Sequence, residues 1–397
     1  TINAVQSGWV IRDGGGTIVH TGDGTSDYTI SAADVASKAY ENYTITPPAH
    51  SSQDEDISIS VETTDTKIVN GSPETSVLVT DMDVTVEVAP VAEVVGTDSD
   101  GDGTNDLTMN PDFNYSTPAK EDEWFDLQKD GFNLKDGWSN QDPDEETYAL
   151  LKPILNGGLS SAIGSQFKYY NGSSWITLTY NGTPLEISAE YLDTVQFKAA
   201  HNVKGMFEIE VQAKTVDTDP ETGDTVSAVS GSASLTNIVI LPVADKVTLS
   251  VSSPMNTPED TLVDLKVRPA SSDSSETFNI TIANIPPGAK IYYDGTELTA
   301  DGDGKVLIEN FSTTKTLAIL PPHNSNDNFV LNVSAQSVDT DGGVTNISDA
   351  VTLPITVQVK GVADDAILNV KDFATTEAVV DAEGNKIALS NVIDNVA

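Results

Sequence analysis

Residues 197–219, FKAAHNVKGMFEIEVQAKTVDTD, decide the fold of this chain. Phe207, Ile209 and Val211 alternate with polar residues, the period-two pattern of a strand with one buried face. The run follows His201 and leads into Val216-Asp217-Thr218-Asp219. The same order recurs twice. Ile45-Thr-Pro-Pro-Ala-His50 precedes Ile57, Ile59 and Val61 and then Thr64-Asp65-Thr66, while Ile319-Leu-Pro-Pro-His323 precedes Phe329, Leu331 and Val333 and then Val338-Asp339-Thr340-Asp341-Gly342-Gly343. Three of the four histidines therefore hold one repeat position. Self-similarity at this scale indicates tandem modules.

The copies close alike, at Ala89-Pro-Val-Ala-Glu93, Leu241-Pro-Val-Ala-Asp245 and Lys360-Gly-Val-Ala-Asp364, and two of them open alike, at Lys120-Glu-Asp-Glu-Trp-Phe-Asp-Leu127 and Pro258-Glu-Asp-Thr-Leu-Val-Asp-Leu265. These signals predict four segments. Residues 1–93 read as the C-terminal part of a module, 94–245 as an enlarged module, 246–364 as a module of ordinary size and 365–397 as the start of another. Turn dipeptides such as Asn171-Gly172, Asn181-Gly182 and Asp294-Gly295 between short strands predict an all-β chain of tandem antiparallel sandwiches. One short helix is expected in the enlarged module, over 144–155, where Leu150, Leu151 and Leu155 form a helical stripe and Gly157-Gly158 ends it.

Composition narrows the function. The 397 residues carry 61 acidic and 20 basic side chains, a formal charge of −41, which repels nucleic acid and anionic membranes and attracts cations. High charge also accompanies disorder, but alternating Val, Ile and Thr argue against it. With no cysteine, neither disulfides nor thiolate metal sites stiffen the modules. No apolar run is long enough to insert in a bilayer and no signal peptide stands at Thr1, so the sequence reads as the middle of a longer chain.

Asp98-Ser-Asp100-Gly-Asp102-Gly-Thr-Asn-Asp106 has the acid spacing of a calcium loop, although Met109 stands where an EF-hand places its bidentate glutamate. A second set of acids falls at the expected junctions: Glu93 with Glu121 and Asp122, Asp245 with Glu259 and Asp260, and Asp364 with Asp365. Their mutual repulsion calls for neutralisation by several calcium ions. The pairs Asp217/Asp219 and Asp339/Asp341 are expected to join them.

Taken together, the closing Val-Ala-Asp or Val-Ala-Glu, the opening Glu-Asp pairs, the Asp-Thr-Asp segments and the missing cysteine resemble the tandem cadherin-like modules of bacterial RTX adhesins, over nearly the whole chain. The resemblance implies calcium-rigidified extender modules on a Gram-negative surface, type I export, and roles in attachment and biofilm. It also implies a monomeric rod within a larger chain, whose partners are proteins or glycans on a target cell.

The middle segment holds three of the four tryptophans and 15 of the 25 aromatic residues. Such side chains suit recognition surfaces. Trp138, Tyr148, Asn156, Gly157, Gly158, Tyr169 and Tyr170 are the candidate ligand-binding residues. The resemblance implies capture of a protein C-terminal peptide with the help of calcium; a calcium-dependent lectin site and a plain extender are the alternatives. No Gly-x-Ser-x-Gly elbow, His-Glu-x-x-His helix or Walker loop occurs, so no enzyme is expected, and the repeated histidines read as structural.

Overall fold

The computed structural model describes residues 1–98, 101–109, 111–158, 160–363, 365, 368–370 and 393–396. Asp100, Asp364 and most of the segment 365–397 lie outside the described residues. The chain forms two compact units, Thr1–Pro242 and Val243–Ala397, and the division falls within the Leu241-Pro-Val-Ala-Asp245 exit. Nearly all regular structure is antiparallel strand.

Unit one contains two separate cores. The smaller gathers Val5, Trp9 and Ile11, where a three-stranded sheet (Ile18–Thr21, Val10–Arg12, Thr44–Thr46) accompanies a long hairpin, Glu55–Val69 with Ser72–Val86. Only the base of this hairpin is covered. Ile57 is buried, whereas Val61, Leu78 and Met82 on the same face are more than half exposed. The single α-helix among the described residues is here, Ala32–Ser37, capped by the Ser31 side chain accepting from the Asp34 N–H.

The larger core lies between a six-stranded and a four-stranded sheet. The former runs in the order Leu185–Ser188, Glu146–Leu155, Gly205–Thr218, Thr225–Leu241, Phe113–Asn114, with Ala119–Lys120 also pairing on Thr225–Leu241. The latter runs Phe125–Asp126, Gln196–Lys198, Gln166–Tyr170, Trp175–Thr179. Phe207, Ile209 and Val211 are fully buried, as their alternation requires. Tyr115 is enclosed by Phe113, Phe125 and Phe132, and its hydroxyl donates to the Leu127 carbonyl at 2.7 Å. Burial raises its pKa above the ordinary tyrosine value. Tyr115→Phe leaves that carbonyl without its donor and is expected to lower stability by about 1–2 kcal/mol, read as a fall in the urea midpoint at unchanged slope.

The helix expected over 144–155 is a strand, Glu146–Leu155. Ala149, Leu151, Pro153 and Leu155 are buried in alternation, so Leu150 and Leu151 face opposite sides. Pro153 decides the outcome. Its ring and missing N–H oppose a helix interior, but it fits a strand that has only one partner at that point: Leu185–Ser188 reaches only Tyr148 to Leu151, and Pro153 faces Ile209 alone. Among the described residues the enlarged module has only 3-10 turns, Asn156–Gly158 and Ala189–Thr194.

Unit two repeats the plan on a core of Leu331, Val333, Ile355 and their neighbours. Its six-stranded sheet runs Met255–Pro258, Val351–Lys360, Phe329–Asp341, Thr277–Ala283, Val306–Ile308, with Val344–Ile347 also pairing on Phe329–Asp341. The aligned openings are structurally equivalent. Ala119–Lys120 runs parallel to the closing strand of its module, and so does Met255–Pro258.

Candidate metal centre

Two strands set up the site. Glu146 is paired with Val216, so Glu145, one residue upstream, comes level with Asp217 where the pair ends. Asp142 stands three residues before Glu145. The exit segment of the preceding module is fastened to this corner: the Val91 N–H donates to Asp217 Oδ2 at 2.7 Å, the Glu93 N–H donates to Glu145 Oε1 at 2.8 Å, and the Thr215 hydroxyl donates to the Glu93 carbonyl at 2.7 Å. Asn140 donates to Glu145 Oε2 at 2.9 Å.

Ligand atoms of His50, Glu93 and Asp142 lie within 4.8 Å of one another. His50 Nε2 is 3.4 Å from Asp106 Oδ1. Glu93, Asp106, Asp142, Glu145 and Asp217 are all buried. Glu93 Oε2 and Asp217 Oδ1 are enclosed without a hydrogen-bond partner, a costly state for carboxylate oxygens. The electrostatics agree. Burial, and then the charge of Glu145, push the Glu93 carboxyl up to about 7; burial, and then the hydrogen bond with Asp144, push Asp142 up to about 8. Carboxyls crowded this way either hold protons or share a cation.

The corner recurs in unit two with two of these connections. Thr277 is paired with Val338, bringing Glu276 level with Asp339, and Asp273 stands three residues before Glu276. The Asp245 N–H donates to Glu276 Oε1 at 2.5 Å, and the Ser337 hydroxyl donates to the Asp245 carbonyl. Asp273, Glu276 and Asp339 are buried, Asp273 and Asp339 present oxygens within 4.8 Å of each other, and burial raises the Glu276 pKa. Glu93, Asp142, Glu145 and Asp217 thus correspond to Asp245, Asp273, Glu276 and Asp339. Carboxylate oxygens are common to both corners and histidine is not. Such a donor set suits a hard divalent cation.

The expected clusters are regrouped. Glu93 does not meet Glu121 and Asp122. Glu93 is tied to Thr215, whereas the Glu121 N–H donates to the Leu241 carbonyl, next to where Ile240 pairs with Gly205. Roughly ten residues of strand separate these points, on the order of 30 Å. Asp245 and Glu259 are parted likewise, since Asp245 is tied to Ser337 and the Glu259 N–H donates to Lys360 beyond the other end of the sheet. The exit of the preceding module and the opening acids of the next therefore sit at opposite ends of one sandwich, while each module's opening lies beside its own closing strand. Asp122 and Asp260 instead accept hydrogen bonds from His201 and His323, and the His323 bond holds Asp260 below the usual carboxylate range. Two of the repeated histidines are therefore structural, while His50 belongs to the carboxylate corner.

Asp217 and Asp339 join their corners, from strands rather than loops. Asp219 caps the hairpin turn, accepting from the Glu221 and Thr222 N–H groups, and Asp341 ends a strand opposite Val344. In the acidic loop, Asp98 accepts from Gly101 and Gly103, and Asp102 from Thr104. Both are exposed, and only Asp106 turns into the corner.

The aromatic candidates do not assemble into one site. Trp138 lines a cleft of about 190 Å³ with Leu107, Asn140 and Thr147. Gly157 and Gly158 line another of about 440 Å³, and Asn156 Oδ1 accepts from the Met206 N–H. Tyr169 packs against the core and stacks on Tyr191. Tyr148 bonds Glu146 through its hydroxyl beneath Lys214, and Tyr170 lies on the outer face of the four-stranded sheet.

Sequence reading missed Asp142, Glu145, Asp273, Glu276 and the part played by His50. The signal was present: Asp142-Pro-Asp-Glu145 and Asp273-Ser-Ser-Glu276 each stand directly before the strand that flanks the Val-Asp-Thr strand.

No protein-family description matches the sequence, and no curated protein sequence is similar to it. Among solved structures, a marsupial T cell receptor is similar at 10% identity over 57% of this chain and 72% of that one, with a TM-score of 0.19. A mutant of CfaE, the CFA/I enterotoxigenic E. coli adhesin, is similar at 8% identity over 65% of this chain and all of that one, with a TM-score of 0.26. At these values the likeness carries no argument about function. The β-sandwich architecture rests on the sheets themselves.

Proposed function

We propose that this chain is a calcium-stabilised segment of a bacterial surface adhesin of the RTX kind, in which cations lock successive sandwiches and the enlarged module meets a ligand on a target cell. One observation carries the reading: a buried carboxylate corner built twice from equivalent residues on equivalent strands. A corner serving one module's packing alone has no reason to hold the preceding exit segment by the same hydrogen bonds each time. Calcium fits better than zinc because the second corner repeats the first with oxygen donors only. Protein C-terminal peptides and glycans on a cell surface are the proposed partners, and the extracellular face of a Gram-negative cell the proposed location.

Isothermal titration of the metal-free chain with calcium chloride at neutral pH tests this. Saturable binding of at least two ions is expected, with magnesium much weaker. A calcium titration without heat, or preference for zinc, refutes it.

A further inference from the structure

The outer face of the four-stranded sheet in the enlarged module is a separate feature. Phe167 is buried, so Gln166, Lys168 and Tyr170 point outward. The register places Thr179, Thr177 and Trp175 beside them on one side, and Lys198 and Gln196 on the other. Lys168 Nζ lies 4.4 Å from the Trp124 ring centroid and 4.8 Å from that of Trp175, so one ammonium holds both indoles. Tyr170 stands 5.8 Å from Trp175 at 58°. Even so, Trp175 is 49% and Tyr170 38% exposed. The matching sheet of unit two carries no indole on that face among the described residues: there Ile291 is buried, and the outward Lys290 and Tyr292 both meet Glu297, at 3.1 Å and 3.2 Å.

We infer that this face is a binding platform for a neutral glycan, with a pyranose ring stacked on Trp175 and Tyr170. A sugar ring offers a face of C–H groups to an aromatic ring and a rim of hydroxyls to the amides and hydroxyls around it, here Gln166, Gln196 and Thr177. An apolar protein partner would strand those polar groups. A polyproline helix requires an aromatic-lined groove, and this face is an open sheet. An anionic polymer meets the field of a chain with formal charge −41, while the Lys168 charge is directed into the two indoles. The platform shares no residue with the carboxylate corner, so either assignment can fail without the other.

Affinity electrophoresis of the whole chain in calcium, through gels containing glucan, mannan, galactan or a polyuronate, provides the test. Retardation by at least one neutral polysaccharide is expected, with a shift in indole fluorescence. Trp175→Ala is expected to weaken binding by about tenfold or more, without change in melting temperature or in calcium binding. Tyr170→Ala is expected to weaken it too, and decides the matter if the first variant melts early. Retardation by the polyuronate alone, none by any neutral gel, or undiminished binding by both variants overturns the inference.

Discussion

Calcium added to the metal-free chain is expected to raise its melting temperature by about 5–10 °C. A ligand that binds only the folded state at a hundredfold excess over its Kd stabilises by about 2.7 kcal/mol, and a unit of this size gains roughly 2–4 °C per kcal/mol. The cause is local. Glu93 and Asp142 are buried with ligand atoms within 4.8 Å of each other, and a dication converts their repulsion into attraction. Differential scanning calorimetry in chelator and then in excess calcium reads the shift. A melting curve indifferent to both removes the mechanism.

Glu93→Gln should act in opposite directions in the two states. Without metal it deletes a carboxylate whose ionisation the fold opposes, so the variant should melt higher than the parent. With calcium it deletes a ligand, and affinity should fall by about tenfold or more, leaving the variant below the parent. The pH dependence carries the same signature. Glu93 and Asp142 titrate at about 7 and about 8 in the folded chain, above the ordinary carboxyl values near 4. The folded state therefore binds more protons than the unfolded one across this interval, and metal-free stability falls as pH rises from about 4 to about 8. In calcium the slope reverses, because protons compete with the cation. A melting temperature rising with pH in chelator would contradict the arrangement, as would a variant shifted the same way in both conditions.

The sandwiches were legible because a half-buried strand writes its period into the chain. Phe207, Ile209 and Val211 alternate in sequence and are buried together in the structure. The strand at Glu146–Leu155 was misread because Leu150-Leu151 and the trailing glycines imitate a helical stripe; weighing Pro153 corrects it. The acids were harder to group. Proximity along the chain suggested joining each closing acid to the next opening pair, but a sandwich carries those two points to opposite ends. Only the pairings of Glu146 with Val216 and of Thr277 with Val338 reveal which carboxylates meet. Asp98 stands out by the acid spacing of its loop and Asp219 by its recurrence as Asp341, and neither signal foretells that their oxygens are taken up by turn N–H groups or hairpin ends.

The way the Val91–Glu93 exit is fastened bears on how a tether of such modules carries tension. Its attachments to Asp217, Glu145 and Thr215 lie on two neighbouring strands of one sheet. A pull on the exit segment is thus shared between two strands of one sheet. A cation held among the same carboxylates would add its bonds to that joint, so ion concentration would set how much force the joint withstands before it yields.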